Sequence, residues 1–263
     1  MGAEFTVFGV WYKFDSEPNK NIICLDWFLS LFHNGRWEPE TFEVFEYAKD
    51  SSKAAVDIGA WIGPTSIWLS NNFKHVISIE PDVVAFEALE QNLKNSGCHN
   101  VDTINRPCYK EETDVVFGTN EFKKDYPDSF LGASTSQIKS SPASPEDRLQ
   151  KTITLAHLKN YSCFRDIGFV KVDIEGGEEN ILEDLFEYAN THKWKLYVSF
   201  HCDWWRDKVV SIFRCKELFD LPTTRIVDMA EKRNLSSEEL LMHIVHNPMC
   251  SVYFEFGDNQ KPA

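Results

Sequence analysis

Residues with chemical potential fall in three short stretches. VDIGAWIG, residues 56–63, sets Asp57 ahead of two glycines, Gly59 and Gly63. VISIE ends in Glu80, and VKVDIEGGEE carries Asp173, Glu175, Glu178 and Glu179 around Gly176 and Gly177. A later run, KLYVSFH, ends in His201. Carboxylates and an imidazole at the ends of apolar runs suit proton transfer, hydroxyl binding or metal ligation. The glycines suit a backbone that turns tightly and approaches a bound molecule.

The elements that must position these groups are legible in the hydrophobic pattern. KAAVDI, HVISIE and NVDTIN read as strands; GPTSIWLSNNF and DVVAFEALEQNLKNSG read as the helices between them. Asp82 is the expected N-cap of the second helix and Gly97 its end. The pattern resumes with the strand GFVKVDI, the helix EENILEDLFEYANTH, the strand KLYVSFH and the helix in WWRDKVVSIFRCKELF. WEPETFEVFEYAKD predicts an earlier helix with Pro39 in its first turn. LLMHIVH and CSVYFEF, around Asn247 and Pro248, read as two antiparallel strands joined by a turn. Residues 118–150, rich in Ser and Pro, read as a long loop. The β-α-β-α-β order implies an α/β fold, a doubly wound parallel sheet with helices on both faces. Such sheets bind ligands beyond the carboxyl ends of their strands, which is where all three stretches lie.

Composition narrows the partners. The chain has 263 residues, 43% of them apolar, and a formal net charge of −14. Nucleic acid and anionic membrane surfaces call for clustered Lys and Arg, so neither is expected as a partner. The seven cysteines form no C-x-x-C pair. They read as reduced, mostly buried thiols in a cytoplasmic protein, and no structural zinc site is expected. The sequence shows no secretory signal and no run of about 18 apolar residues that would span a membrane.

The ligand follows from the spacing. A dinucleotide site would read G-x-G-x-x-G, but here Trp61 replaces the middle glycine and would obstruct a pyrophosphate. A nicotinamide-dependent oxidoreductase is therefore the poorer fit. A carboxylate before the first glycine suits a cation better than a diphosphate. Glu80, at the end of the next strand, can accept from both hydroxyls of a ribose. A ligand with a ribose, a sulfonium and an ammonium but no phosphate is S-adenosylmethionine (SAM).

AAVDIGAWIGPTSIWLS, VISIEPDVVAFEALEQNLKNSG and FVKVDIEGGEENIL together resemble the FkbM family of SAM-dependent methyltransferases, over about residues 36–202. The resemblance implies a class I methyltransferase, Rossmann-like, with a mostly parallel seven-stranded sheet and an antiparallel C-terminal strand. It implies O-methylation, often of sugars or other hydroxylated natural products. It places Asp57, Gly59, Gly63 and Ser66 at the methionine end of SAM or in the loop shaped around it, with Ala60 and Trp61 between them. Glu80 would hold the ribose, with Pro81 beside it. Asn105 falls where the family has an adenine-side turn, although here the segment reads INRPCY. The expected layout is a cloning remnant at 1–5, an N-terminal helical and strand extension at 6–50, the methyltransferase domain at 51–257 and a tail at 258–263. If the remnant marks an excised domain, a glycosyltransferase is the natural neighbour.

An alcohol is a poor nucleophile until its proton is taken or a metal acidifies it. Asp173 or His201 is the expected base, and Glu178 the group that positions the acceptor. Asp173 and Glu175, alternating along a strand end, are expected on opposite faces; Glu175 would pair with a basic side chain. Asp173, Glu178 and His201 also have the donor types for Mg²⁺ or Mn²⁺, though the chemistry does not require a metal. Trp204 and Trp205 would either stack on a sugar or join the core. Among the remaining histidines, His243 and His246 sit in a run that could line the acceptor side. The acceptor is read as a carbohydrate hydroxyl, in a glycan or a deoxysugar such as rhamnose. The alternatives are a non-sugar natural product, an amine, or a module that binds SAM or glycan without catalysis.

Overall fold

The alternating pattern folds as a wound sheet. The computed structural model describes residues 2–15, 22, 25–118, 137–139, 141–142, 147–205, 207–220, 225–228 and 231–257. In chain order these form β1 (Ala3–Val7), β2 (Val10–Phe14), α1 (Leu25–Phe32), α2 (Pro39–Ala48), β3 (Ala54–Ile58), α3 (Pro64–Asn72), β4 (His75–Ile79), α4 (Val83–Asn95) and β5 (Val101–Ile104). There follow β6 (Asp114–Gly118), β7 (Gln137–Lys139), β8 (Arg148–Lys151), β9 (Ile167–Val172), α5 (Leu182–His192), β10 (Lys195–His201) and α6 (Lys208–Phe219). The chain closes with β11 (Arg225–Asp228), β12 (Arg233–Asn234), α7 (Ser237–His246) and β13 (Met249–Glu255).

The main sheet has the order β12-β11-β13-β10-β9-β3-β4-β5. Strands β5, β4, β3, β9 and β10 are parallel, and β13 runs antiparallel between β10 and β11. The expected sheet had seven strands; the described residues give eight, because the two-residue β12 pairs with the outer side of β11. The ends of β3, β4, β9 and β10 therefore lie side by side, and the three chemically marked stretches converge there.

Both faces are buried, and period two sorts each strand between them. On β9, Phe169 belongs to one apolar cluster while Val170 and Val172 belong to the other; Tyr197 and Val198 divide β10 in the same way. One cluster packs α5, α6 and α7 against the sheet. The other holds α2, α3 and α4 together with a dense group of aromatic rings from the N-terminal segment. Tyr12, Phe14, Phe28, Phe32, Phe42 and Phe45 are all at most 2% exposed. Phe45 meets Phe169 and Tyr197 edge-on, so α2 is seated directly on the sheet. Ala3–Phe5, part of the stretch expected to be a remnant, lies in a strand paired with β2, and Phe5 packs on Tyr12 and Phe14.

Two segments differ from the sequence reading. LLMHIVH is helical, not a strand. Ser236 and Glu239 form a capping box at its start, and Leu240, His243 and Ile244 are buried at helical spacing. Only CSVYFEF is a strand. The stretch read as a long loop also has structure at its described ends: β6, β7 and β8 make a three-stranded antiparallel sheet. Positions 119–136, 140 and 143–146 within it lie outside the described residues.

Candidate active site

The β3 end is built on a buried ion pair. Asp57 and Lys171 are direct partners across β3 and β9. Lys171 Nζ lies 3.1 Å from Asp57 Oδ1 and donates to the Gly59 carbonyl at 2.6 Å. Thr65 and Ser66 hydroxyls donate to Asp57 Oδ2 at 2.7 and 2.6 Å, and Ser78 donates to Ser66. Burial alone would lower the Lys171 pKa, but the Asp57, Asp173 and Glu38 carboxylates outweigh it and raise it. The cation expected to face Asp57 is thus supplied by the protein itself, and Asp57 and Ser66, both fully buried, shape the turn from beneath.

Above them the turn is forced by close approach. Gly59 has φ +86°, and a Cβ there would sit 1.8 Å from the Asp173 carbonyl oxygen. Gly63, at φ +96°, starts α3 with Pro64 in the first turn. Trp61 adopts φ +47° and packs its ring edge-on to Phe28, away from the turn's amides. Ala60 is buried and its N–H donates to the Ile79 carbonyl.

Glu80 closes this corner. Trp61 N–H donates to its Oε2 and Asp82 N–H to its Oε1, each at 2.8 Å. Asp82 also caps α4, as expected. Burial, then the Asp82 charge, pushes the Glu80 carboxyl up to about 8. Asn105 donates to the Glu80 and Pro81 carbonyls at 2.8 and 3.1 Å, so its amide pins the strand end. Beside Glu80 is a narrow slot lined by Gly59, Pro81, Pro107, Cys108, Phe117 and Ile138, and by Ile174 and Gly177. Phe117 comes from β6 and Ile138 from β7, and β7 lies within the stretch 118–150 that was read as a loop.

The β9 end forms the other side. Asp173 and Glu175 lie on the same side of the loop, both facing His201. Its Nε2 is 3.7 Å from Asp173 Oδ1 and 3.7 Å from Glu175 Oε2. The expectation of opposite faces is corrected here: β9 ends at Val172, and Glu175, at φ +55° in the turn that follows, brings its carboxylate round beside Asp173. Glu178 is fully buried beneath the loop. It accepts from Ile174 N–H and Gly176 N–H, from Trp205 Nε1, and pairs with His201 Nδ1 at 2.9 Å. Burial alone would raise the Glu178 pKa; His201 and these donors outweigh it and lower it. Glu178 orients the imidazole and the loop, in place of the expected contact with the acceptor. Trp204 stacks on the His201 ring, 5.1 Å away at 7°, while Trp205 is core.

Burial opposes a charge on His201, but Glu178, Glu175 and Asp173 prevail and push its pKa up to about 10. Carboxylates that favour a protonated ring oppose the role of base expected for His201, because an imidazolium has no lone pair for a proton. Among the described residues, the group with metal-ligand geometry is Asp173, Glu175 and His201. Glu175, not Glu178, completes it, because Glu178 sits behind the ring.

Asp173, Glu175 and His201 open onto a cavity of about 560 Å³. Glu38, Glu40, Glu231, Ser199 and His243 also line it. Two groups here, Lys171 and Glu38, were missed, and a third, His243, was placed on the wrong kind of element. Lys171 looked like an ordinary strand lysine. Glu38 stands at the start of α2 with φ +44°, and Thr41 donates to it. Burial and the Asp173 charge push its carboxyl up to about 7. His243 was assigned to a strand; on α7 it is 9% exposed, with Nδ1 3.4 Å from Asp228. The Glu-Pro pair at 38–39 was a readable helix-start signal, whereas nothing local marks Lys171; His243 was read as able to line the acceptor side, and it does line the cavity. His246, on the same helix, is exposed and bonds only its own turn among the described residues.

The six described cysteines are free thiols, and Cys24 lies outside the described residues. Among the described residues, no helix is long and apolar enough to cross a membrane.

Comparison with known proteins is consistent with this geometry. Residues 57–201 match the family model of the methyltransferase FkbM domain. No curated protein matches the chain. Among solved structures, it is similar to methyltransferase FkbM from Methylobacillus flagellatus KT, with 15% identity and a TM-score of 0.46, covering 78% of this chain and 44% of that one. The chain thus spans under half the length of that protein. It is also similar to precorrin-6y C5,15-methyltransferase from Geobacter metallireducens GS-15, with 13% identity, a TM-score of 0.44, and coverage of 84% and 89%. A third is an rRNA methylase from Streptococcus thermophilus, with 10% identity, a TM-score of 0.44, and coverage of 82% and 93%. The family model spans more than half of the sequence, including the β3 turn, Glu80, the β9 loop and His201, and the chain belongs to the FkbM methyltransferase family.

Proposed function

We propose that the chain is a SAM-dependent O-methyltransferase acting on a sugar hydroxyl, in a glycan or a deoxysugar such as rhamnose. The observation that carries this reading is the β9 loop, which partitions two spaces. Ile174 and Gly177 line the slot beside Glu80, while Asp173 and Glu175 line the large cavity. A donor on one side and an acceptor on the other would meet across four residues.

The residues fit SAM. Glu80 would accept from ribose hydroxyls, and the apolar slot of Pro81, Pro107, Cys108, Phe117 and Ile138, about 20 Å³ as it stands, would widen to take a flat heterocycle. Trp61 and Gly59 leave no third glycine for a pyrophosphate. When bound, SAM supplies an electrophilic methyl group. With it in place the acceptor oxygen would take the methyl group, the S–CH₃ pair going to sulfur and the hydroxyl proton to a carboxylate of this chain. Asp173 is the carboxylate at the partition, with Glu38 lining the same cavity. His201, held by Glu178, keeps Asp173 and Glu175 in place, and orientation of this kind supplies much of the rate. Trp204, half-exposed and stacked on His201, offers an edge for a sugar ring.

A second reading, methylation of an amine, draws on the five carboxylates around the cavity, which also suit a cationic acceptor. An amine needs less help from a base. Calorimetry with S-adenosylhomocysteine, then transfer of a labelled methyl group to rhamnosides and amino sugars, tests both. Micromolar cofactor binding, lost in Glu80→Ala, and transfer to a hydroxyl that collapses in Asp173→Asn support the first reading. Amine transfer insensitive to Asp173→Asn selects the second. Absence of cofactor binding overturns both.

A further inference from the structure

We propose that Asp173, Glu175 and His201 form a divalent-cation site of the Mg²⁺ or Mn²⁺ type that holds the acceptor's hydroxyls. This deepens the acceptor half of the proposed function and does not depend on the cofactor slot.

One nitrogen and two carboxylate oxygens, all within 4.8 Å of one another, converge at the floor of the cavity. Adjacent donors around a six-coordinate ion with bonds of about 2.1 Å stand roughly 3 Å apart. The 3.7 Å separations at Nε2 need only small side-chain rotations to close. The mixed carboxylate and imidazole set suits Mn²⁺ and its neighbours in size.

The ring is already set for ligation. Glu178 engages Nδ1 from a fully buried position, which turns Nε2 toward the two carboxylates. Metal-ligating histidines are held in this way by a carboxylate on the far nitrogen.

The cavity itself calls for a ligand, on a separate observation. His243, 91% buried by difference from its 9% exposure, lines the same cavity, and its Nε2 has no hydrogen-bond partner among the described residues. A buried donor or acceptor left unmade is costly unless something fills it. Among the described residues the lining carries no Lys or Arg and several carboxylates, so the protein charge there favours a cation and a neutral acceptor. Three protein donors leave about three positions of a six-coordinate ion open toward the cavity. Two vicinal hydroxyls of a neutral sugar would occupy two of them, and the metal would acidify the one to be methylated, its proton passing to Glu38, which lines the same cavity.

The test is Mn²⁺ binding to the chelator-treated full chain, read by electron paramagnetic resonance and calorimetry. One ion with micromolar affinity is expected. Glu175→Gln and Asp173→Asn should each weaken it at least tenfold, and Glu178→Gln about 10–100-fold through the misdirected ring. Circular dichroism checks that each variant is folded. Glu40→Gln, in the same cavity but outside the triad, should change affinity less than threefold. No binding at millimolar Mn²⁺, or binding indifferent to Glu175→Gln and Asp173→Asn, overturns the site. Cofactor calorimetry on the same sample separates the outcomes: cofactor binding without Mn²⁺ rejects only the metal site, and Mn²⁺ without cofactor rejects only the methyltransferase mechanism.

Discussion

Glu80 makes the proposed cofactor site sensitive to pH. Its carboxyl is pushed up to about 8 by burial and by Asp82, despite N–H bonds from Trp61 and Asp82. Near neutrality most molecules therefore carry it protonated. Ribose hydroxyls donate hydrogen bonds, so they favour the ionised form, and cofactor binding must expel the proton. The sign follows: affinity is weak well below pH 8 and rises until Glu80 is ionised in the free protein. If binding takes the pKa far below the range tested, the competent fraction at pH 6.5 is about 3%, and at pH 8.5 about 76%. Affinity for S-adenosylhomocysteine should then climb roughly twentyfold over these two units. Calorimetry across that range, in buffers of different ionisation enthalpy, reads both the affinity and the proton released. Glu80→Gln should bind weakly with no such slope. A flat profile in the wild type, or a slope that survives Glu80→Gln, would refute the assignment of Glu80 as ribose holder.

Gly59→Ala places a methyl group against the Asp173 carbonyl at a positive φ; thermal unfolding should show a loss of roughly 2–4 kcal/mol, and a loss below about 1 would contradict the close approach of β3 and the β9 loop. Lys171→Met leaves Asp57 uncompensated in the interior, at a cost of about 3–5 kcal/mol by denaturant titration. Adding Asp57→Asn should recover part of that loss; strict additivity of the two would disprove their coupling. Phe45→Ala removes a fully buried ring between α2 and the sheet and should cost about 3–5 kcal/mol. Were the N-terminal segment a loosely attached appendage, that substitution would barely move the main transition.

Much of the architecture was open to reading because its signals are local. Val-Ile runs at period two, Asp82 as an N-cap, Gly97 past a helix and the glycines at 59 and 63 each speak within a few residues. The same locality explains the failures. LLMHIVH fits a strand or a helix by hydrophobicity alone, and the deciding signal was the capping box at Ser236 and Glu239, just upstream. Glu178 read as the group that positions the acceptor, but it lies buried in the first turn of a short 3₁₀ helix under the β9 loop, where four donors reach it.

The amino-acid sequence by itself determined the wound sheet, the turn after β3, the acid at the end of β4 and the acid-rich loop after β9, since periodicity, glycine and capping act through neighbours in the chain. Only the tertiary structure decided which charges meet. Lys171 faces Asp57 because β3 and β9 pair in one register. Asp173, Glu175 and His201 converge because β9 and β10 end together, and Glu38 and His243 arrive from α2 and α7 to complete the cavity. Electrostatic partners are chosen by proximity in three dimensions, and the low dielectric of the interior then sets their protonation. No spacing along the chain encodes either.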